Sequence, residues 1–161
     1  MVIETIVMLG IVVLIGIIGK TISLRQAEET AEKIKKENKN KEAYLKQCYN
    51  LITKRFRTKP YGFLLYPWRN FYLGNMWNPP GKVLPCHILS SMLKRCLLKR
   101  FHKKEIRSVW IFLSDRNILH NYLKVKVGQK WVSVDPWGYH NHIHFGENML
   151  TTGYGARGIR E

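Results

Sequence analysis

From residue 2 to residue 18 the chain carries almost nothing but Val, Ile, Leu and Gly, with one charge, Glu4, close to its end. With flanks to Leu24 the run reaches about 20 residues, the length a helix needs to cross the hydrocarbon of a bilayer. A buried soluble helix is a second reading, but a chain of 161 residues has no core that could surround one. A cleaved signal peptide is a third. It calls for positive charge ahead of the apolar run and a small-residue cleavage site; here the early charge is acidic and no such site is evident. Residues 1–24 are therefore expected to be a transmembrane anchor. What remains can build one modest hydrophobic core and not two.

Lys20, Arg25, Lys33, Lys35, Lys36, Lys39 and Lys41 follow the run, and only the amino terminus precedes it. The positive-inside rule then puts the C-terminal domain in the cytoplasm. Each of those lysines near anionic lipid contributes about 1 kcal/mol. The whole chain has 27 Lys and Arg against 11 Asp and Glu, a formal charge of +16, which implies an anionic partner but no particular fold. Membrane lipid is the first candidate, through the basic stalk. Nucleic acid is the rival from another class, since many aromatics accompany the charge, although no binding motif is visible. Residues 25–41 are polar nearly all round, with Glu29–Lys33 and Glu32–Lys36 at helical pair spacing. They suit an exposed helical stalk, or a disordered linker toward residues 36–41.

The expected domain, residues 42–161, begins with a helix over residues 42–56, where Leu45, Cys48, Tyr49, Ile52 and Phe56 recur at three- and four-residue steps. Residues 59–80 are rich in Pro, Gly, Asn and aromatics and promise only short regular structure. Their aromatics suit a packed loop, an interfacial belt on the membrane, or the walls of a substrate groove. A second amphipathic helix starts directly after Pro85, with Leu89, Met92, Leu93, Cys96, Leu97 and Phe101 on one stripe. Residues 108–113 (SVWIFL) form a continuous apolar run suited to a buried strand, and residues 114–117 turn the chain. The expected class is α+β.

Two further strands, residues 119–127 and 130–134, meet at Gly128-Gln129. A two-residue turn there pairs Val127 with Lys130, Val125 with Val132 and Leu123 with Val134. Side chains alternate across a strand, so Leu123, Val125, Val132 and Val134 share a core face, and His120, Tyr122, Trp131, Ser133 and Asp135 share the other. His120 and Asp135 become diagonal neighbours, about 7–8 Å apart at the backbone. A slip of one residue would separate them, and the valines make that slip costly. An Asp beside a His fixes its tautomer and stabilises the imidazolium. Of the three cysteines, Cys48 and Cys96 fall inside apolar stripes, whereas Cys86 stands at a helix start, where free N–H groups and the helix dipole favour a thiolate. The cysteines are odd in number and contain no CxxC pair, which argues against a disulfide framework or a thiolate zinc site and for at least one free thiol. A Cys, a His and an Asp also occur together in many proteins with no catalytic role.

The order of these parts resembles the transglutaminase-like superfamily, a branch of the papain-like thiol enzymes. The resemblance rests on Pro85-Cys86 and the helix after it, residues 108–113, His120-Asn121-Tyr122, and Trp131-Val132-Ser133-Val134-Asp135-Pro136, and covers roughly residues 42–138. Peptide N-glycanases carry a similar tail. The resemblance implies a papain-like core, Cys86 as nucleophile, His120 as general base and acid, and Asp135 as the residue orienting His120. It further implies attack on an amide of a protein or peptide, by hydrolysis or acyl transfer, with no cofactor and no metal. An upstream oxyanion donor would come from Trp68, Trp77 or Asn78. The chain departs from the family in having Leu84-Pro85 where Gly is common before the Cys, and His120-Asn121-Tyr122 where His-Ala-Trp is usual. A membrane adaptor with an inactive site is the alternative. His140, His142 and His144 would share one face of a strand, as metal ligands can, but a polar strand or loop fits them better. His87, next to Cys86, is expected to point elsewhere.

Overall fold

The structure, a computed structural model, describes residues 2–59, 62–113 and 118–149. The turn expected at residues 114–117 lies outside them. The first helix, α1 (Val2–Glu37), runs unbroken from the expected anchor into the expected stalk and ends at Glu37, four residues short of the stalk's expected end. At 1.5 Å per residue its 36 residues span about 54 Å. It is long and apolar enough to cross a membrane, and its apolar part is almost wholly unburied within the protein.

The stalk expectation needs correcting. Residues 25–37 are helical, but one stripe is not exposed: Ser23, Ala27 and Ala31 are fully buried. Side chains this small let a second helix approach closely, and α5 (Cys86–Leu97) lies against them. Cys96 Sγ donates to the Ala27 carbonyl at 3.4 Å. Glu28 pairs with Arg95 and Lys99 across the same contact. Arg100 caps the end of α1 by donating to the carbonyls of Asn38 and Lys39. The polar appearance of this segment arises because alanine, not a large apolar residue, marks the buried face.

α2 (Lys41–Arg55) starts at Asn40, whose side chain accepts from the Glu42 N–H. Leu45, Cys48, Tyr49, Ile52 and Phe56 are all buried, as their spacing requires. Two single turns follow, α3 (Gly62–Leu65) and α4 (Pro67–Asn70). The buried Arg69 donates to the carbonyls of Val83 and Pro80, tying this loop to the approach to α5. On α5, Leu89, Met92, Leu93, Cys96 and Leu97 are buried, with Phe101 just beyond.

A three-stranded antiparallel sheet completes the α+β fold, in the order β1 (Ile106–Leu113), β2 (Ile118–Val127), β3 (Lys130–Val134). The β2–β3 register pairs Val127 with Lys130, Val125 with Val132 and Leu123 with Val134, as the turn at Gly128 dictates. That glycine has φ of 60°, a left-handed conformation that favours glycine. The expectation of a buried strand over residues 108–113 fails for most of its length. β1 is the edge strand of a small sheet, and only its ends, Ile106 and Leu113, are buried. Trp110 and Phe112 stand in the open.

Candidate active site

Cys86 is the first helical residue of α5, with Pro85 at the cap position in extended conformation. Proline suits this place because it has no N–H to satisfy and its φ is preset. The first-turn N–H groups of α5 have no partner within the helix. β3 ends opposite Leu123, so β2 runs on past it without a β3 partner, and there α5 meets the strand. Ser90 Oγ donates to the Asn121 carbonyl at 3.0 Å, and Cys86 Sγ lies 4.0 Å from the Leu119 carbonyl oxygen. The spacings match: four helical residues advance about 6 Å and two strand residues about 6.6 Å. Helix and strand thus stay in step, and Cys86 is held level with His120.

His120 and Asp135 sit together as the hairpin register requires. His120 Nε2–H donates to Asp135 Oδ2 at 2.7 Å, and the two side chains are only 1% and 0% exposed. With Nε2 engaged, Nδ1 is left for the thiol. The second carboxylate oxygen, Oδ1, accepts from the Gly138 N–H at 2.9 Å. Gly138 is the residue that permits this fit. A Cβ there would lie 2.9 Å from Asp135 Cγ, 3.0 Å from Oδ2 and 3.1 Å from Ile143 Cβ. Trp137 packs its ring 5.1 Å from the His120 ring, and Tyr122 stacks at 6.4 Å and 16°. Tyr49 of α2 reaches the Asp135 backbone carbonyl at 3.5 Å. His120 is therefore fixed on several sides, and the face that carries it is covered rather than open.

Burial by itself pushes the Cys86 thiol up. Hydrogen bonds from His120 and His87, the charge on His120 and the Asn121 backbone N–H outweigh it and bring the thiol down to about 6. Burial likewise pushes His120 down, but hydrogen bonds to Asp135 and Cys86 and their charges hold it up at about 9. Between those values the stable form is a thiolate beside an imidazolium. The other thiols behave oppositely: burial pushes Cys48 up to about 12 and Cys96 well above its ordinary value. Cys86 is also the one cysteine that is not fully buried.

The structure thus brings Cys86, His120 and Asp135 together. His87, expected to point elsewhere, has definite partners beside the site. Its ring donates to the Asn70 carbonyl at 3.3 Å and packs against Trp110 at 6.5 Å. Helical spacing carries no sign of these partners, because both come from other elements. Gly138 and Trp137 also belong to the site, and the one sequence signal for them is the turn marked by Asp-Pro followed two residues later by Gly. The candidate oxyanion donors go elsewhere. Asn78 accepts from Arg55, Trp77 packs against Phe56 and Arg55, and Trp68 stands edge-on to Tyr66 at the surface. Of the three histidines read as belonging to a polar strand or loop, His140 lies on a short 3-10 turn, Gly138–Asn141, and His142 and His144 just after it. His140 donates to the Phe56 carbonyl, and among the described residues no group of three His, Cys, Asp or Glu side chains is placed to hold a metal ion.

The chain matches no protein-family model, no curated protein and no solved structure.

Proposed function

We propose that this chain is a thiol enzyme of the transglutaminase-like, papain-related kind, held on a membrane by α1, with the domain in the cytoplasm. The observation that carries the reading is the Cys86 thiol at a helix start, 4.0 Å from the Leu119 carbonyl oxygen and so beside His120, an imidazole that a buried carboxylate orients. In this reading the Cys86 thiolate attacks an amide carbonyl. The sulfur–carbon bond forms, and the first-turn N–H groups of α5 cradle the developing oxyanion. His120 then gives its proton to the leaving amine, whose carbon–nitrogen bond breaks, and an acyl-enzyme remains on Cys86. Neutral His120 next deprotonates water, for hydrolysis, or an amine, for acyl transfer. Asp135 keeps Nε2–H engaged throughout, so the working nitrogen stays aimed at the sulfur. The seven cations between Lys20 and Lys41 favour the cytoplasmic placement of the domain and contact with anionic lipid.

A p-nitrophenyl ester tests the chemistry without knowledge of the natural substrate. One equivalent of nitrophenolate should be released in a burst, with a matching mass increase on Cys86, and Cys86→Ser should abolish both. Adding a primary amine separates hydrolysis from transfer by the product formed. Turnover that persists in Cys86→Ser would rule the reading out, and a folded wild type with no burst would favour an inactive adaptor.

A further inference from the structure

A groove of about 670 Å³ runs between α1 and the loop after α4. Leu9, Val12, Val13, Gly16 and Ile17 line one wall, and Phe71 and Tyr72 the other. At one end stand Lys20, His87 and Ser91. The loop is held against the helix backbone to backbone. A Cβ at Gly16 would lie 2.8 Å from the Phe71 carbonyl oxygen, and one at Gly19 2.1 Å from that of Tyr72. Ser23 Oγ accepts from the Met76 N–H at 2.8 Å, which fixes the loop further along.

This attachment sets the depth of the loop. It meets α1 where the apolar run gives way to Lys20, which is the depth of a bilayer interface. Outward side chains of this loop and of the two short turns before it suit that place: Leu64 of α3, Trp68 of α4 and Phe71 are 64%, 47% and 69% exposed. Across the site from the loop, Trp110, Phe112 and Leu119 form a second exposed apolar rim, at the β1–β2 end that carries His120. His87 joins the two rims, bonded to residue 70 on one side and packed on Trp110 on the other. Cys86 is its immediate neighbour in sequence, at the first position of α5.

We infer that the groove takes an acyl chain of a membrane lipid and that the lipid's own acyl carbonyl is the substrate of Cys86. One wall of the groove belongs to the helix that crosses the bilayer, so a lipid chain is the apolar occupant at hand. Lys20, at the polar end, suits the anionic headgroup of the same molecule. The inference rests on the thiol chemistry proposed above and narrows its substrate. The thiolate attacks the ester or amide carbonyl of the lipid, the carbon–sulfur bond forms, and the carbon–oxygen or carbon–nitrogen bond breaks. The leaving group takes the proton from His120. The acyl group stays on Cys86 as a thioester until water, deprotonated by His120, releases a fatty acid.

The test uses the full chain in phosphatidylcholine–phosphatidylglycerol vesicles containing a phospholipid with alkyne-tagged acyl chains. One tagged acyl group should appear on Cys86, be released by hydroxylamine and be absent from Cys86→Ser. Val13→Trp, which fills the groove, should lower this labelling at least tenfold. A diazirine placed in the same acyl chain should cross-link to residues 70–72 or Ser91, a readout that needs no variant. If wild-type Cys86 is alkylated by iodoacetamide at neutral pH but takes no acyl group from the vesicles, the lipid inference fails and the thiol chemistry stands. If Cys86 is not alkylated either, both fall. Labelling that Val13→Trp leaves untouched, with no cross-link to the loop, also overturns the inference.

Discussion

Gly138 shows how much of the candidate site is decided by single atoms. Its N–H holds one oxygen of Asp135, and the missing Cβ leaves room for the other. Alanine at this position should push the carboxylate aside by a few tenths of an ångström while the fold survives, with an overpacking cost of about 1–3 kcal/mol. Because a misplacement of about 1 Å can cost roughly 10²-fold, Gly138→Ala should slow the ester burst by at least about tenfold. Circular dichroism should show an intact fold in the same sample. A wild-type burst would mean that Asp135 does not position His120. At this scale Cys86, His120 and Asp135 were legible because each stands at a place with its own sequence signature: a helix start, a strand of fixed register and the strand's end. His87 and Trp137 were not, because their roles depend on distances between elements.

The elements follow the chain's periodicity closely where large apolar residues mark the buried side. α2, α5 and the β2–β3 hairpin are of this kind, and the valine pairing alone put His120 and Asp135 on one face. Two elements depart from what their sequence suggests, for opposite reasons. β1 is apolar and stays exposed, because a sheet of three strands has no neighbour to offer its outer edge. The second half of α1 is polar and becomes buried along one stripe, because Ser23, Ala27 and Ala31 admit α5 at close range. Gly19 extends that logic to the loop, since its Cβ would collide with two backbone carbonyls. Backbone cannot move aside as a flexible side chain can. Gly19→Val should therefore cost about 3 kcal/mol or more, seen as a lower melting temperature and faster proteolysis within residues 67–76. An unchanged melting temperature would show that the loop does not need this contact.

For the molecule as a whole, the charge of +16 and the apolar helix offer two distinct ways to hold a membrane. Salt separates them. At 1 M salt the screening length falls to about 3 Å, so attraction between exposed lysines and lipid headgroups largely vanishes, while burial of an apolar helix does not weaken. The full chain should stay in the membrane pellet at that salt concentration and leave it only with detergent. Release by salt alone would assign membrane attachment to the basic surface and not to α1. Some of the charge already has partners within the fold, with Arg95 and Lys99 on Glu28 and Lys41 on Glu105. Composition revealed the excess of positive charge but not this pairing, which depends on α1 packing beside α5.

The central claim is that Cys86 is a thiolate paired with His120 at neutral pH. The direct measurement is the rate of iodoacetamide alkylation at Cys86 across pH, read by peptide mass spectrometry. The midpoint is a better readout than the rate at any one pH, because a thiolate of lower pKa is also a weaker nucleophile and the two effects partly cancel. The wild type should show a midpoint near 6, with Cys48 and Cys96 unlabelled. His120→Ala should move it up toward the ordinary thiol value, and His87→Ala should move it up by less. Above about 9, where His120 gives up its proton, the ion pair and the ester burst that depends on it should both be lost. A wild-type midpoint at the ordinary thiol value, unmoved by His120→Ala, would contradict the account.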